Sequence, residues 1–377
     1  MLTTALFAKF KKPDEKRLPL HPRHLESIDP VIRKKLHFES GYGNPFGIED
    51  SELAAISGGV FSRSELFEKC DLAIIAKPVP EDLLEMREGS ILWGWPHCVQ
   101  QFDMTQTAID RKLSLIAWEE MHYWTVDGAW NGHVFNKNNE IAGYAGVQHA
   151  LNLRGQDGNF GEKLKAVVIS YGSVSQGAVK GLMARGIEDI SVYTSEDFII
   201  KGEKRKNVKY DHFIKGPHGR LWVQSNDSTT TPFYTVLQDA DIIVNGILQD
   251  TDSPLMFVPE KKVSTLKKGC LIVDISCDEG MGFPFAIPTS FKKPILQFDQ
   301  VYYYAVDHTP SYLWNASTWE ISKALLPFLE TVMSGSVAWE ENPTILKAIE
   351  IQNGTILNPK ILRFQNRSQD YPHVIER

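Results

Sequence analysis

The 377-residue chain has little cysteine and no excess of positive charge. Its four cysteines, Cys70, Cys98, Cys270 and Cys277, are scattered and form no C-x-x-C pair. In a chain of this length they indicate reduced thiols, so we expect neither a disulfide framework nor a bound metal. The formal net charge is −7. Nucleic acid is therefore not an expected partner, because binding its phosphates requires a concentrated basic surface.

The sequence also lacks a long apolar run. No stretch approaches the roughly 20 apolar residues of a membrane span. The N-terminal sequence "MLTTALFAKFKKPDEKR" has an apolar run too short for a secretory signal, and its positive charges follow that run. We therefore expect a cytoplasmic protein that does not associate with a membrane.

What the chain does contain is a series of short apolar segments alternating with helical ones, including "KLHFES", "LAIIAKPV", "SILWGWPH", "KAVVISYG", "DIIVNGI", "CLIVDISCD" and "PILQFD". This alternation predicts an α/β fold with parallel sheets. The series separates into two groups, which predicts two domains. We expect one domain over 1–138 and 306–377. The other should span 139–305, with a polar, turn-rich insertion at about 195–235.

The segment "AVVISYGSVSQGAVKGLMARGIEDISVYT" has the order strand, small-residue loop, helix, strand. A dinucleotide-binding turn has this order and places the pyrophosphate at the helix N-terminus. Only Gly172 occupies a glycine position of G-x-G-x-x-G, since Ser170 and Ser175 stand at the outer two. Gly177 is expected to ease packing of the helix on the sheet. A purely structural strand–helix turn is the alternative.

The residue that ends the second strand of this unit selects the cofactor. An acidic residue there indicates NAD and a basic one NADP. Here it is Thr194, which fits neither, whereas Lys201, Lys204 and Arg205 follow shortly and could meet a 2′-phosphate. The choice between NAD and NADP is therefore open at this stage.

Four ionisable residues of the first domain stand after predicted strands: Arg17, Lys77, His97 and Glu119. Carboxyl ends of parallel strands form the usual ligand site of open α/β sheets, so these side chains should meet. Arginine suits a carboxylate grip, and a lysine beside a histidine suits proton transfer. Each has a structural alternative, such as a solvated lysine or a histidine that only makes hydrogen bonds.

The second domain offers a further set of polar residues. In "VDISCDEGMGF", Asp274 and Asp278 follow a strand, and Asp278 could face the cleft or be a turn aspartate. Where the chain should cross back to the first domain, "YAVDHTPSYLW" places Asp307 and His308 before Thr309. We expect Thr309 to be the N-cap of a helix with Pro310 at its first position.

Together these motifs resemble the superfamily of alanine dehydrogenase, saccharopine dehydrogenase and transhydrogenase, with the bacterial N5-(carboxyethyl)ornithine synthases as the nearest likeness within it. The pieces that carry the resemblance, in order from about 14 to 325, are "KRLPLHP", "GYGNPFGIED", "MREGSILWGWPH", "AGYAGVQHAL", "GSVSQGA", "DIIVNGI", "LKKGCLIVDISCDEG" and "YYYAVDHTPSYLWNAS". The final 50 residues and the insertion lie outside it. The "DHTPS" stretch resembles the saccharopine and carboxyethylornithine members more than the alanine dehydrogenases.

The resemblance implies a fold of two Rossmann-like domains with an interdomain cleft. It also implies an NAD- or NADP-dependent oxidoreductase on CH–NH bonds. Such an enzyme condenses a 2-oxo acid, pyruvate or 2-oxoglutarate, with an amino acid amine and reduces the imine, or runs the reverse. By position, the resemblance implies three sets of residues: catalytic Lys77, His97 and Glu119; substrate-binding Arg17, Asp307 and His308; and cofactor-binding Ser170, Gly172, Ser173, Val174, Ser175, Thr194 and Asp278. It also implies a homo-oligomer. The alternatives are alanine dehydrogenase-like deamination and a non-catalytic dinucleotide-binding protein.

Overall fold

The computed structural model describes residues 1–195, 204–216, 220–224, 229–249 and 253–376. The chain divides into two compact units. The first comprises Met1–Asn136 with Trp314–Arg377, and the second comprises Lys137–Leu313. Within the described ranges, none of the helices combines the length and apolar character needed to cross a membrane.

The first unit is built on an eight-stranded sheet. Its strands are β1 (Thr4–Leu6), β2 (Leu36–Glu39), β3 (Val60–Phe61), β4 (Leu72–Ile75), β5 (Ile91–Gly94), β6 (Ser114–Ala117), β18 (Ile349–Gln352) and β19 (Thr355–Ile356). Their spatial order is β19-β18-β6-β5-β4-β1-β2-β3. The pairs among β1 to β6 are parallel, whereas β18 runs antiparallel to β6 and to β19.

Both faces of this sheet are covered, which explains why its central strands are continuous apolar runs. One face carries a core with Ile74, Trp93 and Ile116, and the other a core with Ile75 and Leu92. The α-helices of this unit are α1 (Pro30–Arg33), α2 (Asp50–Ile56), α3 (Arg63–Lys69), α4 (Pro80–Leu83), α5 (Phe102–Asp110), α9 (Trp314–Ser334), α10 (Ser336–Glu340), α11 (Pro343–Leu346) and α12 (Pro359–Phe364). Short 3₁₀ helices lie at Pro22–Ser27, Asn44–Phe46 and Trp118–Glu120. A separate hairpin pairs β7 (His122–Trp124) with β8 (Trp130–His133).

The second unit contains a nine-stranded sheet. Its strands are β9 (Lys165–Ile169), β10 (Asp189–Thr194), β11 (Val208–Lys215), β12 (Leu221–Gln224), β13 (Thr230–Pro232), β14 (Ile242–Asn245), β15 (Leu271–Asp274), β16 (Ile295–Phe298) and β17 (Val301–Tyr304). Their order is β13-β12-β11-β10-β9-β14-β15-β17-β16. The helices are α6 (Asn136–Arg154), α7 (Ser173–Ala184) and α8 (Tyr234–Leu237), with 3₁₀ helices at Glu260–Thr265 and Thr309–Leu313.

The central six strands, β11-β10-β9-β14-β15-β17, are all parallel. They follow the doubly wound order 3-2-1-4-5-6, whose topological switch point lies between β9 and β14. The prediction of an α/β chain with two Rossmann-like parallel sheets is confirmed.

Three local predictions need correction. The segment 195–235 is not simply an insertion, because β11 is the third parallel strand of the sheet and only β12 and β13 extend it. Parts of that segment, 196–203, 217–219 and 225–228, lie outside the described residues. The segment Ile295–Phe298 is an antiparallel edge strand, and the sixth parallel strand is Val301–Tyr304. Thr309 does not cap a helix, since its hydroxyl donates to the Ala142 carbonyl oxygen at 2.9 Å.

Candidate functional site

At the carboxyl edge of the first sheet, four neighbouring parallel strands end beside one another: β1, β4, β5 and β6. Arg17 follows β1, Lys77 follows β4, His97 follows β5 and Glu119 follows β6. The loops after β4 and β5 are tied together, since the Trp95 N–H donates to the Ala76 carbonyl oxygen at 3.2 Å. The four residues predicted for substrate binding and catalysis therefore all follow strands that end at the same edge of the sheet.

The Arg17 guanidinium is buried and oriented by a carboxylate. Its Nε donates to Glu15 Oε1 at 2.8 Å and its Nη2 to Glu15 Oε2 at 2.6 Å. The guanidinium carbon lies 5.0 Å from the centre of the Trp95 ring, in cation–π range. Glu15 thus occupies the Nε/Nη2 edge of the guanidinium and orients it.

His97 has a left-handed backbone, with φ of 50°, which is uncommon for a non-glycine residue. Hydrogen bonds to both backbone polar groups of His97 hold this backbone conformation. Its N–H donates to Glu119 Oε1 at 2.6 Å, and its carbonyl oxygen accepts from the Gln100 and Gln101 N–H groups. The imidazole Nδ1 lies 3.6 Å from the same Glu119 oxygen. Glu119 therefore sets both the backbone and the electrostatic surroundings of His97.

The carboxyl group of Glu119 is held in a low-polarity environment. Burial raises its pKa well above the ordinary value, and the nearby Glu350 carboxyl raises that pKa further. Behind it lies His133, whose Nε2 contacts the Glu119 carbonyl oxygen at 3.1 Å. Burial lowers the pKa of His133 to about 4, so this imidazole is neutral at physiological pH.

Sequence reasoning did not find Glu15 or Glu350. Glu15 lies two residues before Arg17, in the "DEKR" charge cluster, and could have been proposed as its partner. Glu350 stands in "IEIQNGTI", where Asn353-Gly354 between apolar residues is a strong hairpin signal. The hairpin was therefore detectable, but its position beside β6 was not.

In the second unit, the loop after β9 begins at the switch point of the sheet. Gly172 is the N-cap of the 12-residue helix α7, and among the described residues no side chain caps that helix end. The first-turn N–H groups of α7, at Ser173, Val174 and Ser175, therefore have no intrahelical acceptor. Among the described residues, a Cβ atom placed on Gly172 would meet nothing nearer than the Ser170 hydroxyl, at 3.9 Å, so none of them fills the space over the loop.

The two serines that replace glycine are accommodated in different ways. Ser170 takes a left-handed backbone, with φ of 79°, and its hydroxyl accepts the Gly172 N–H at 3.3 Å. Ser175 is fully buried and its hydroxyl donates to the Ile169 carbonyl oxygen at 3.1 Å. A Cβ on Gly246, at the end of β14, would come within 2.5 Å of that hydroxyl. Glycine at 246 thus makes room for serine at 175.

Gly177 serves helix packing and not packing on the sheet, contrary to the expectation. A Cβ on it would overlap the carbonyl oxygen of Glu140 in α6, and one on Gly143 would overlap that of Val174 in α7. The two glycines allow the backbones of α6 and α7 to cross in direct contact. This contact fixes the position of the α7 N-terminus.

Thr194 ends β10 and is buried, in register with His212 of β11. The loop after β9 is linked to β11 by a pair of phenols, since the Tyr210 hydroxyl donates to that of Tyr171 at 2.8 Å. Tyr210 also accepts the N–H of Arg205 at 2.9 Å. The segment expected to be an insertion therefore supports the glycine-containing loop. Of the basic residues expected near a 2′-phosphate, Lys201 lies outside the described residues.

Two aspartates follow β15 in different environments. Asp274 is fully buried and accepts hydrogen bonds from Tyr303, from Asn245 and from the Cys277 N–H. Burial raises its pKa to about 6. Burial also raises the pKa of Asp278 to about 6. The apolar residues that precede Asp274 in β15 were the sequence feature that could have indicated a buried, hydrogen-bonded aspartate.

Asp307 and His308 form a directly bonded pair, with His308 Nδ1 at 2.6 Å from Asp307 Oδ1. The His308 ring is buried and meets Phe291 edge to face, with ring centres 5.0 Å apart. This arrangement fixes the tautomer of His308, because an imidazole that donates from Nδ1 to a carboxylate presents Nε2 as an acceptor when it is neutral.

Comparison with known proteins gives a consistent result. Residues 163–359 match the family model "Alanine dehydrogenase/PNT, C-terminal domain". The chain is 28% identical over 326 residues to an N(5)-(carboxyethyl)ornithine synthase of Clostridium botulinum, covering 83% of this chain and 89% of that protein. It is 25% identical over 361 residues to an alanine dehydrogenase of Methanococcus maripaludis, covering 92% of each.

A solved structure of L-alanine dehydrogenase superimposes with a TM-score of 0.73 at 18% identity, over 96% of this chain and 98% of that one. At this identity the likeness concerns the fold. The family model covers more than half of the sequence and includes the loop after β9, the two aspartates after β15 and the Asp307–His308 pair. The chain therefore belongs to the alanine dehydrogenase/PNT family.

Proposed function

We propose that the protein is an oxidoreductase that uses NAD(H) or NADP(H) to join a 2-oxo acid to the amine of an amino acid, or to run the reverse. The product would be an N-carboxyalkyl amino acid, formed from pyruvate or 2-oxoglutarate. The observation that carries the proposal is the set of Arg17, Lys77, His97 and Glu119 at one sheet edge. Relatives named N(5)-(carboxyethyl)ornithine synthase support the class of product.

The proposal assigns the substrate domain to 1–138 and 306–377 and the dinucleotide-binding domain to 139–305. In the second unit, the open space over Gly172 and the uncapped start of α7 fit a pyrophosphate. The residues proposed to hold the dinucleotide are Ser170, Gly172, Ser173, Val174, Ser175, Thr194 and Asp278. The reduced cofactor, when bound, supplies a hydride.

The residues of the first unit would bind and orient the oxo acid. Arg17 would hold the substrate carboxylate, while Glu15 and Trp95 orient its guanidinium. Asp307 and His308 are proposed to contact substrate as well. Their hydrogen bond holds the His308 ring in a fixed orientation beside Asp307.

Lys77 and His97 would move the protons. Condensation of an amine with a carbonyl transfers protons from nitrogen to oxygen and releases water, so one group must accept a proton while another donates one. A histidine and a lysine at neighbouring strand ends can divide these roles. Glu119 would keep the His97 backbone fixed and place negative charge or a proton 3.6 Å from its ring.

A screen of amines against oxo acids tests the proposal. Ornithine, lysine and ammonia would each be combined with pyruvate and 2-oxoglutarate, and oxidation of NADH or NADPH followed by absorbance. Turnover with an amino acid amine and not with ammonia supports the proposal. Turnover with ammonia alone supports the second candidate, alanine dehydrogenase-like deamination, which the similarity to alanine dehydrogenases favours.

A third candidate is a non-catalytic dinucleotide-binding protein, which the serines at 170 and 175 favour. Titration with NADH and NADPH, followed by energy transfer from the nine tryptophans, distinguishes this candidate from a protein whose loop binds no dinucleotide. Binding of one cofactor without turnover in any combination supports this third candidate. If neither binds at millimolar concentration, the dinucleotide assignment is wrong.

A further inference from the structure

The loop that carries His97 is hydrogen-bonded to the C-terminal segment, residues 343–376. The carbonyl oxygen of Cys98 accepts from Gln365 Nε2 at 2.6 Å and from the Thr105 hydroxyl at 2.9 Å. Gln365 is itself fixed by Arg367, whose Nε donates to Gln365 Oε1 at 2.6 Å. Both residues of this pair are buried. A segment remote in sequence therefore determines where the His97 loop lies.

The same segment places a second carboxyl group near Glu119. Strand β18 pairs with β6, and its register shifts between Ile349 and Ile351. Ile349 belongs to the core on one face of the sheet and Ile351 to the core on the other, whereas residues two apart in a regular strand share a face. The bulge lies at Glu350, which it redirects, as bulges commonly do beside functional sites.

Glu119 and Glu350 each have one buried carboxyl oxygen without an ordinary hydrogen-bond donor among the described residues, Oε2 in both cases. The other oxygens are satisfied, that of Glu119 by the His97 N–H and that of Glu350 by Asn358 Nδ2 at 3.1 Å. The thiol of Cys98, a weak donor, also faces Glu350. Two buried carboxylates without donors are costly, and one shared proton removes most of that cost.

The direction of the pKa shifts agrees with this arrangement. Burial raises the pKa of Glu350 to about 7, and burial together with Glu350 raises the pKa of Glu119 well above its ordinary value. Both shifts favour the protonated form of these carboxyl groups, so they agree with one proton held by the pair. The titratable groups facing the pair are His97, Cys98, Glu120, His133 and Lys360.

We infer that Glu350 is a positioning residue for His97: it forms a one-proton carboxyl pair with Glu119 and so keeps negative charge away from the His97 ring. This inference rests on the proposed function for its catalytic meaning. The protonated Glu119 still accepts the His97 N–H through Oε1. The C-terminal segment thereby controls both the position and the ionisation of the proposed proton-transfer group.

The test compares Glu350→Gln with Glu119→Gln and with Glu341→Gln, which removes the same charge from an exposed position just before this segment. The readouts are the pKa of the His97 ring, from the histidine ring resonances by NMR, and the pH profile of turnover. The His97 resonance is assigned by its loss in His97→Gln.

In Glu350→Gln the remaining charge moves onto Glu119, 3.6 Å from the His97 ring, so the pKa of His97 should rise by about one unit or more. The apparent pKa of the limb of the pH profile that reports His97 should rise by the same amount. In Glu119→Gln the charge stays on Glu350, so the pKa of His97 should not rise. Equal pKa values in Glu350→Gln and Glu341→Gln would overturn the inference.

Infrared spectroscopy covers the case in which Glu350→Gln does not fold. At pH 8 the wild-type protein should show the carbonyl band of a neutral carboxyl group, and Glu119→Gln should lack it. Absence of the band from the wild-type protein contradicts the inference. The NMR and infrared measurements need no substrate. An inactive wild-type protein would therefore refute the proposed function, while these two measurements would still decide whether the carboxyl pair exists.

Discussion

The carboxyl ends of the two sheets hold their functional groups by different means. In the first unit the groups are charged side chains, and each needs a buried partner: Glu15 for Arg17, and Glu350 for Glu119. In the second unit the principal group is the backbone at the start of α7, framed by Gly172 and small neutral residues. The first edge should therefore be sensitive to changes of charge, and the second to changes of volume.

The largest effect should come from removing the proposed proton-transfer groups. His97→Ala and Lys77→Met should each lower kcat by about 100- to 10,000-fold, because general acid–base catalysis contributes that much. Binding of NADH, measured by tryptophan fluorescence, should stay unchanged. Lys35→Met, an exposed lysine of the same unit, is the control. Full turnover in both variants would contradict the roles assigned to His97 and Lys77.

The next effect concerns stability and the charge buried at the second edge. The pKa of Asp278 is raised by burial from 3.8 to about 6, so the folded state binds its proton more tightly than the unfolded state does. The contribution of Asp278 to the free energy of unfolding is fully present below pH 4 and is lost as the pH rises through 6. Asp278→Asn should therefore increase the free energy of unfolding at pH 8 by up to about 3 kcal/mol and flatten its decrease between pH 4 and 6.

Urea denaturation at pH 4, 5, 6 and 8 measures this difference. Glu279→Gln, which neutralises the neighbouring carboxylate, is the matched control, because Glu279 is exposed. A wild-type protein whose stability changes between pH 4 and 6 by the same amount as that of Asp278→Asn would show that Asp278 does not titrate in this range.

A smaller effect tests the volume sensitivity of the second edge. Gly172→Ala adds a methyl group to open space, so folding should be unaffected, but a bound pyrophosphate would lose its close approach. The dissociation constant for NADH should rise at least tenfold, about 1.4 kcal/mol. Calorimetric titration and thermal unfolding together measure both quantities.

Gly177→Ala should behave in the opposite way, because its methyl group overlaps the Glu140 carbonyl oxygen where α6 and α7 cross. It should lower stability by about 1–3 kcal/mol. If Gly172→Ala also unfolds the protein at lower temperature, the loop is packed and not open.

The smallest effect concerns the phenol pair behind the loop. Tyr210→Phe removes the hydroxyl that donates to Tyr171 and should weaken NADH binding by a few-fold, about 0.5–1.5 kcal/mol. Tyr234→Phe, a partly exposed tyrosine of the same unit, is the control for loss of a phenol hydroxyl. Identical affinities in the two variants would show that β11 does not support the loop.

The elements that the sequence predicted well were those with strong local patterns. The strands Leu72–Ile75, Lys165–Ile169 and Ile242–Asn245 each contain a buried apolar run of at least three residues, and helix Asn136–Arg154 follows from small residues and helix formers. The loop at Gly172 was found for the same reason, since its strand, turn and helix are contiguous. The placement of Arg17, Lys77, His97 and Glu119 followed from one rule about parallel strands.

The errors came where a local pattern had two solutions. "PILQFD" and "VYYY" are both strands, and their direction depends on which neighbour each pairs with. The polar segment at 195–235 hid a parallel strand, because the residues of β11 are only partly buried or exposed and form no apolar run. Thr309-Pro310 has the sequence of a helix start, but the Thr309 hydroxyl finds its acceptor in α6.

The sequence by itself determined the two sheets, the glycine-containing loop and the set of ionisable residues at strand ends, because each is encoded by residues close together in the chain. Only the tertiary structure decided which groups surround them. Glu350 meets Glu119, Gln365 meets Cys98 and Gly246 makes room for Ser175 across separations of more than 70 residues. Such contacts depend on strand order and on a bulge in β18, and hydrophobic periodicity along the chain carries no information about either.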